Sequence, residues 1–312
     1  MAYPDTITIS EVGPRDGLQM EKRHLPVDQK LRMIEALAEA GLTRIEATGF
    51  VHPKVIPQFA DAQEVARALP RRDGLSYAAF VPNRRGAETA VDCGIDELKC
   101  GIAASATFNR LNVRMDMDSG MKSLEDIADA TQGSATRIVG VVATAFGCPY
   151  EGEVAFETVD RLFSHLEGLG ARLIYLADTT GVADPARVRD RVTALQDRHP
   201  DTPVGLHLHN TRGLGLANAL TGLDCGVRDF ESSIGGLGGC PFAPRAVGNI
   251  CTEDFVHMAH RVGIATGLDL DRLVAAARLT EDLLDRKLPG MVMKAGPADE
   301  IHDPEGQRTK VD

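Results

Sequence analysis

A chain of 312 residues with 43% hydrophobic and 25% charged residues can fill a large core, as two ordinary domains or one large α/β barrel. The formal net charge of −11 excludes a general nucleic-acid binder, which needs a basic footprint. No apolar run approaches the length that spans a bilayer, and the N-terminus has neither a signal peptide's regions nor an Arg-rich transit character.

Ile7 to Val12 alternates and ends in Gly-Pro-Arg-Asp-Gly, a strand followed by a turn-rich loop. The apolar positions Leu31, Ile34, Leu37 and Ala38 predict a helix over Val27–Ala40, stopped by Gly41. The same alternation of strand and helix follows. Strands are expected over Arg44–Phe50, Leu75–Val81, Glu97–Ala104, Arg137–Phe146, Leu173–Ala177, Pro203–Asn210 and Asp229–Ile234. Helices are expected over Phe59–Leu69, Arg84–Cys93, Ser123–Ala130, Phe156–Leu169, Pro185–Gln196 and Leu214–Cys225, then from about Thr252, and finally over Leu270–Arg286. Asp184 followed by Pro185 supplies a helix N-cap with proline in the first turn. The tail after Gly296 is polar.

Eight strand–helix units without a linker imply a single (β/α)8 TIM barrel over residues 1–296, with an additional C-terminal helix and a polar tail at 297–312. A doubly wound sheet is the competitor, but the glycine fingerprint of dinucleotide-binding folds is missing after the first strand. The six scattered cysteines lack a Cys-x-x-Cys pair and read as reduced thiols in a cytoplasmic protein.

Pro203–Asn210 reads Pro-Val-Gly-Leu-His-Leu-His-Asn, and strand alternation puts His207 and His209 on one face. Two imidazoles so placed make half of a metal site or a hydrogen-bonded pair in a polar pocket. In a barrel, chemistry collects at the C-terminal ends of the strands. Those ends are polar here: Arg15 and Asp16, Glu46 and Thr48, Ser105, Asp178 with Thr179 and Thr180, the histidines with Asn210, and a glycine-rich loop leading to Asn249. Each residue alone has an ordinary role, since Asp16 can cap a turn, Glu46 can pair with Arg15 and Asp178 can support the next helix. Six polar strand ends on one rim are not required for barrel stability. Asp16, His207, His209 and Asn249 offer two oxygen and two nitrogen donors, which suit Mg²⁺ or Mn²⁺, with Zn²⁺ as the alternative. Gln19, Ser105, Asp178 and Thr179 are candidates for substrate contact on the same rim.

Five segments carry a resemblance: Glu11–Gln19 (Glu-Val-Gly-Pro-Arg-Asp-Gly-Leu-Gln), Ile45–Lys54 (Ile-Glu-Ala-Thr-Gly-Phe-Val-His-Pro-Lys), Phe146–Gly152 (Phe-Gly-Cys-Pro-Tyr-Glu-Gly), Gly236–Pro241 (Gly-Leu-Gly-Gly-Cys-Pro) and Gly248–Asp254 (Gly-Asn-Ile-Cys-Thr-Glu-Asp). From about Ile9 to Lys287 the chain resembles the 3-hydroxy-3-methylglutaryl-CoA lyases, a branch of the barrel metallolyases related to the acyl-CoA-dependent Claisen-type synthases. The resemblance implies a TIM barrel and cleavage of a 3-hydroxyacyl-CoA to acetyl-CoA and an oxo acid. It implies a divalent cation held by Asp16, His207, His209 and Asn249, and Arg15 stabilising the enolate. It implies that Cys240 takes part in proton transfer on a mobile glycine loop and that Glu46 belongs to the catalytic cluster. His207, or a group near it, is the candidate base. A homodimer is also expected by resemblance, and the partner is a small-molecule acyl-CoA. The chain departs from the lyase pattern at Gly49, Ala106, Val139, Asn210 and Arg212. Those departures leave a related substrate such as citramalyl-CoA, or the condensing direction, as alternatives.

Overall fold

A computed structural model of the chain describes residues 3–239, 247–302 and 308–310. Eight parallel strands close into a barrel in sequence order: β1 (Thr8–Glu11), β2 (Arg44–Gly49), β3 (Ser76–Phe80), β4 (Glu97–Ala103), β5 (Arg137–Ala143), β6 (Ile174–Asp178), β7 (Val204–Leu208) and β8 (Asp229–Ser232). β1 pairs with β8 through Thr8–Asp229 to Glu11–Ser232, which removes both sheet edges.

Helices wrap the outside: α1 (Val27–Glu39), α2 (Ala62–Ala68), α3 (Arg84–Asp92), α4 (Ala106–Asn112), α5 (Met117–Ala130), α6 (Phe156–Gly168), α7 (Pro185–Arg198), α8 (Gly215–Asp224), α9 (Thr252–Arg261), α10 (Leu270–Leu284) and the short α11 (Val292–Ala295). Side chains set several starts. Asn83, Ser105, Asp116, Asp184 and Asp269 each accept a hydrogen bond from a backbone N–H three residues on. The main core lies between strands and helices, where Ile45, Leu98, Val142, Leu176, Leu206 and Phe230 meet Ile34, Val65, Leu162, Phe163, Val188 and Leu195.

The interior of the barrel is different. It holds a small apolar group around Val139, Leu173 and Tyr175, flanked by buried charge. Near the N-terminal end of the strands, Arg44 joins Glu97 at 3.3 Å and Asp229 at 3.1 Å. Further up, Ser10 and Tyr175 share a 3.1 Å hydrogen bond.

The expected strand and helix order is observed, with local differences. After β1, Gly13–Gly17 forms a single π-helical turn where a turn-rich loop was expected, so Arg15 and Asp16 sit on wound backbone. The helix expected from Ser123 begins at Met117, capped by Asp116, and α4 precedes it. The expected Phe59–Leu69 helix splits into a 3₁₀ turn (Pro57–Phe59) and α2. In the polar tail, Glu300–His302 pairs antiparallel with Arg308–Lys310.

Candidate metal and catalytic centre

The site begins with strand alternation. His207 is the penultimate residue of β7 and His209 follows the strand, held by a bridge to Asn249. Their rings tilt toward each other with centroids 5.1 Å apart, and the two Nε2 atoms lie 3.2 Å apart. The remaining nitrogens are committed. His209 Nδ1 lies 2.9 Å from the Val247 carbonyl, which only accepts, so Nδ1 carries the proton. His207 Nδ1 lies 2.7 Å from Glu231 Oε2 and donates to that carboxylate. Both Nε2 atoms are thereby left as lone pairs on neutral rings, and two lone pairs at this separation need a positive species between them.

Burial opposes charge on both rings, but the outcome differs. Glu231 and Asp16 outweigh burial at His207 and raise its pKa. At His209 burial, reinforced by His207, lowers the pKa to about 4.

The wound turn after β1 supplies the oxygen. Asp16, His207 and His209 each offer a ligand atom, and these atoms lie within 4.8 Å of one another. Asp16 Oδ1 accepts from Arg15 Nη1 at 3.0 Å and Gln19 Nε2 at 2.8 Å, while Oδ2 accepts from Asn249 Nδ2 at 2.8 Å. Burial would raise the Asp16 pKa, but Arg15 and the two histidines outweigh it and lower it. Asn249 Oδ1 is buried without a hydrogen-bond partner among the described residues, an acceptor left over for a cation. The Asn249 amide N–H and carboxylate pairing leave the group compact, and the loop glycine Gly238 closes over it. A Cβ there, at φ +120°, would stand 2.6 Å from Asn249 Nδ2. Mixed oxygen and imidazole donors, two prepared lone pairs and an orphaned carbonyl fit a divalent ion.

Arg15 lies beside this group. Its Nε donates to Glu46 Oε1 at 2.5 Å, and its guanidinium stacks 4.6 Å from the centroid of the Phe80 ring. Glu46, on β2, therefore touches Arg15 and not the histidines. Its second oxygen accepts from Lys99 Nζ at 2.7 Å. Gln19 stays with Asp16 and Arg15.

The other candidates sit elsewhere on the rim. Ser105 caps α4, its hydroxyl oxygen accepting from Phe108 N at 3.1 Å with the Cys148 thiol at 3.0 Å. Asp178 accepts from the backbone N–H groups of Val182 and Ala183, and burial pushes its pKa up to about 6. Thr179 Oγ1 accepts from Thr144 N at 3.0 Å. Asn210 Oδ1 accepts from Gly215 N, and Arg212 donates to the carbonyls of Thr180 and Gly181. Both residues thus brace rim loops. Cys240 lies outside the described residues.

Lys99 and Glu231 were not singled out from the sequence. A lysine or glutamate inside a strand reads as solvent-facing, and only barrel closure turns that face inward. The register pairing of His207 with Glu231 is the structural signal.

Comparison with known proteins decides the family. The HMGL-like family description matches residues 6–280. The chain belongs to the HMGL-like family. It is 42% identical to a hydroxymethylglutaryl-CoA lyase of Bacillus subtilis (strain 168) over 289 residues, covering 93% of this chain and 97% of the relative. It is 41% identical to an (R)-citramalyl-CoA lyase of Chloroflexus aurantiacus over 303 residues, covering 94% and 96%. An HMG-CoA lyase from Acinetobacter baumannii, solved in complex with coenzyme A and 3-methylmalate, superposes with a TM-score of 0.93 at 42% identity, covering 97% of this chain and 99% of that one.

Proposed function

We propose that this protein is a divalent-metal-dependent carbon–carbon lyase that cleaves 3-hydroxy-3-methylglutaryl-CoA to acetyl-CoA and acetoacetate. The observation that carries the reading is the buried Asp16–His207–His209–Asn249 donor set with Arg15 beside it on the barrel rim. Family membership and high-coverage lyase relatives support it.

Cleavage removes the C3 hydroxyl proton and breaks the C2–C3 bond. The bonding electron pair passes to C2 and its thioester carbonyl as an enolate, which is then protonated at C2. A cation held by Asp16, His207, His209 and Asn249, Mg²⁺ or Mn²⁺ rather than Zn²⁺, would supply Lewis acidity toward the substrate hydroxyl. With His207 Nε2 committed as a ligand, the C3 hydroxyl proton passes to a base near it, since one lone pair cannot do both. Glu231 behind Nδ1 strengthens His207 as a ligand. Arg15 meets the enolate oxygen, where a fixed guanidinium has most effect because the charge is new. Glu46 orients Arg15. Cys240 delivers the proton to C2, and Gln19, Ser105, Asp178 and Thr179 shape the acyl and thioester environment. The protein acts in the cytoplasm as a homodimer in this reading. Among the described residues, no helix is long and apolar enough to cross a membrane.

The citramalyl-CoA lyase relative, at nearly the same identity, favours a second substrate. One assay separates them: hydroxymethylglutaryl-CoA, citramalyl-CoA and further 3-hydroxyacyl-CoA esters with Mg²⁺ or Mn²⁺, read by acyl-CoA release. Turnover of hydroxymethylglutaryl-CoA with the highest kcat/KM is expected. Preference for citramalyl-CoA would move the assignment to that ester. No turnover by folded, metal-loaded protein would end the lyase reading.

A further inference from the structure

Beneath the rim a single ammonium joins two halves of the site. Lys99, on β4, is 4% exposed. Its Nζ donates to Glu46 Oε2 at 2.7 Å, forms an ion pair with Glu231 Oε1 and lies 5.5 Å from the centroid of the Tyr175 ring. Each carboxylate uses its other oxygen on a rim residue. Glu46 Oε1 takes the Nε–H of Arg15, and Glu231 Oε2 takes the Nδ1–H of His207. The chain of contacts therefore runs Arg15, Glu46, Lys99, Glu231, His207 across the barrel interior, from β2 through β4 to β8 and β7.

We propose that Lys99 is a positioning residue for the lyase reaction: by bridging Glu46 and Glu231, it fixes Arg15 and His207 relative to one another. This rests on the function proposed above. A buried ammonium has three donors and no acceptor, so it can draw two carboxylates toward one point. Without it, two buried carboxylates in the same small volume repel, and each redirects toward the cation it still has. Glu46 then pulls on Arg15 and Glu231 on His207. The guanidinium and the imidazole lose their common reference although neither has been changed.

The lattice of the barrel offers a way to separate charge from packing. Lys99 is the register partner of Val139 on β5. Val139 is buried in the interior group that includes Tyr175. A cation placed at 139 therefore approaches the same two carboxylates from the next strand, and a neutral residue at 99 leaves room for it.

The experiment compares Lys99→Met, Lys99→Val and the double variant Lys99→Val with Val139→Arg. Folding is followed by circular dichroism, Mn²⁺ affinity by calorimetry, and kcat and KM by acyl-CoA release. For Lys99→Met and Lys99→Val, kcat and Mn²⁺ affinity should each fall by roughly 10- to 100-fold, the range seen when a group behind a metal ligand is removed, with KM within about threefold. The double variant should recover at least about tenfold of both. Folded single variants with kcat and Mn²⁺ affinity within about twofold of the parent would overturn the proposal, as would a folded double variant with no recovery. If the single variants do not fold, the double variant decides alone. If none folds, Lys99 serves stability and the positioning role fails. The calorimetric arm needs no substrate, so an unchanged affinity counts against Lys99, whereas a parent protein inactive on every ester counts against the lyase reading itself.

Discussion

Arg15 shows how little of a residue's chemistry resides in its own side chain. It is oriented by Glu46, stacked on Phe80 and tied to Asp16, and Glu46 and Asp16 together outweigh burial to raise its pKa. A glutamine keeps the length and loses the charge. Arg15→Gln should therefore retain the fold and lower kcat by roughly 100- to 1,000-fold, the range for removing one oxyanion stabiliser. Steady-state kinetics beside a melting curve would check it, and an unchanged kcat would remove its role. His209→Ala removes a ring whose Nε2 is prepared by the Val247 carbonyl, so Mn²⁺ affinity should drop by at least about 100-fold in calorimetry. Arg15, Asp16, His207 and His209 were legible in the sequence because alternation and the Gly-Pro-Arg-Asp-Gly run place them on one rim. Lys99 and Glu231 were not, because nothing local distinguishes an inward charge from an outward one. Asn210 and Arg212 departed from the lyase pattern without joining the metal group; their side chains bind rim backbone instead.

At the scale of elements, the strands and most helices followed from apolar periodicity, while the joints between them did not. The turn after β1 reads as loose because Gly-Pro is turn chemistry, yet it is wound and clamped. Glu11 provides the clamp. Its Oε1 accepts from Gly13 N at 2.7 Å and Ile234 N at 2.8 Å, and Oε2 accepts from Thr252 Oγ1 at 2.6 Å. One carboxylate thus joins the Arg15–Asp16 turn, the glycine loop after β8 and the start of α9. Burial pushes the Glu11 pKa up to about 7, against an ordinary 4.5. The folded state therefore binds more protons than the unfolded state between these values, and stability falls as pH rises through that window. Glu11→Gln keeps an acceptor for the two N–H groups and removes the titration. The variant should lose less stability than the parent between about pH 5 and 8, by on the order of 2 kcal/mol. Glu253, also raised to about 7, should leave part of the slope in place. Urea denaturation across that range would test it, and parallel pH profiles would refute the assignment.

For the whole molecule, closure of the barrel separates two jobs. The apolar layer between strands and helices holds the fold, whereas the interior column of charge aims the rim. Buried ion pairs recover their desolvation cost only with good geometry, so the column is weak evidence of stability and stronger evidence of orientation. The barrel itself was legible from eight β/α units, but a charged interior was not, since parallel strands buried on both faces usually read as continuous apolar runs. The division can be tested from its far side. Leu162 is fully buried in the outer layer, on the helix α6 that packs against β5 and β6. Leu162→Ala should cost roughly 2–5 kcal/mol of stability through the cavity it leaves. Because α6 packs on the outside of β5 and β6 and not on the column, kcat per folded molecule and Mn²⁺ affinity should stay within about twofold. A stability loss accompanied by a proportionate loss of kcat in the folded fraction would mean that the outer layer also sets the rim geometry, and that the scaffold and the site are one mechanical unit.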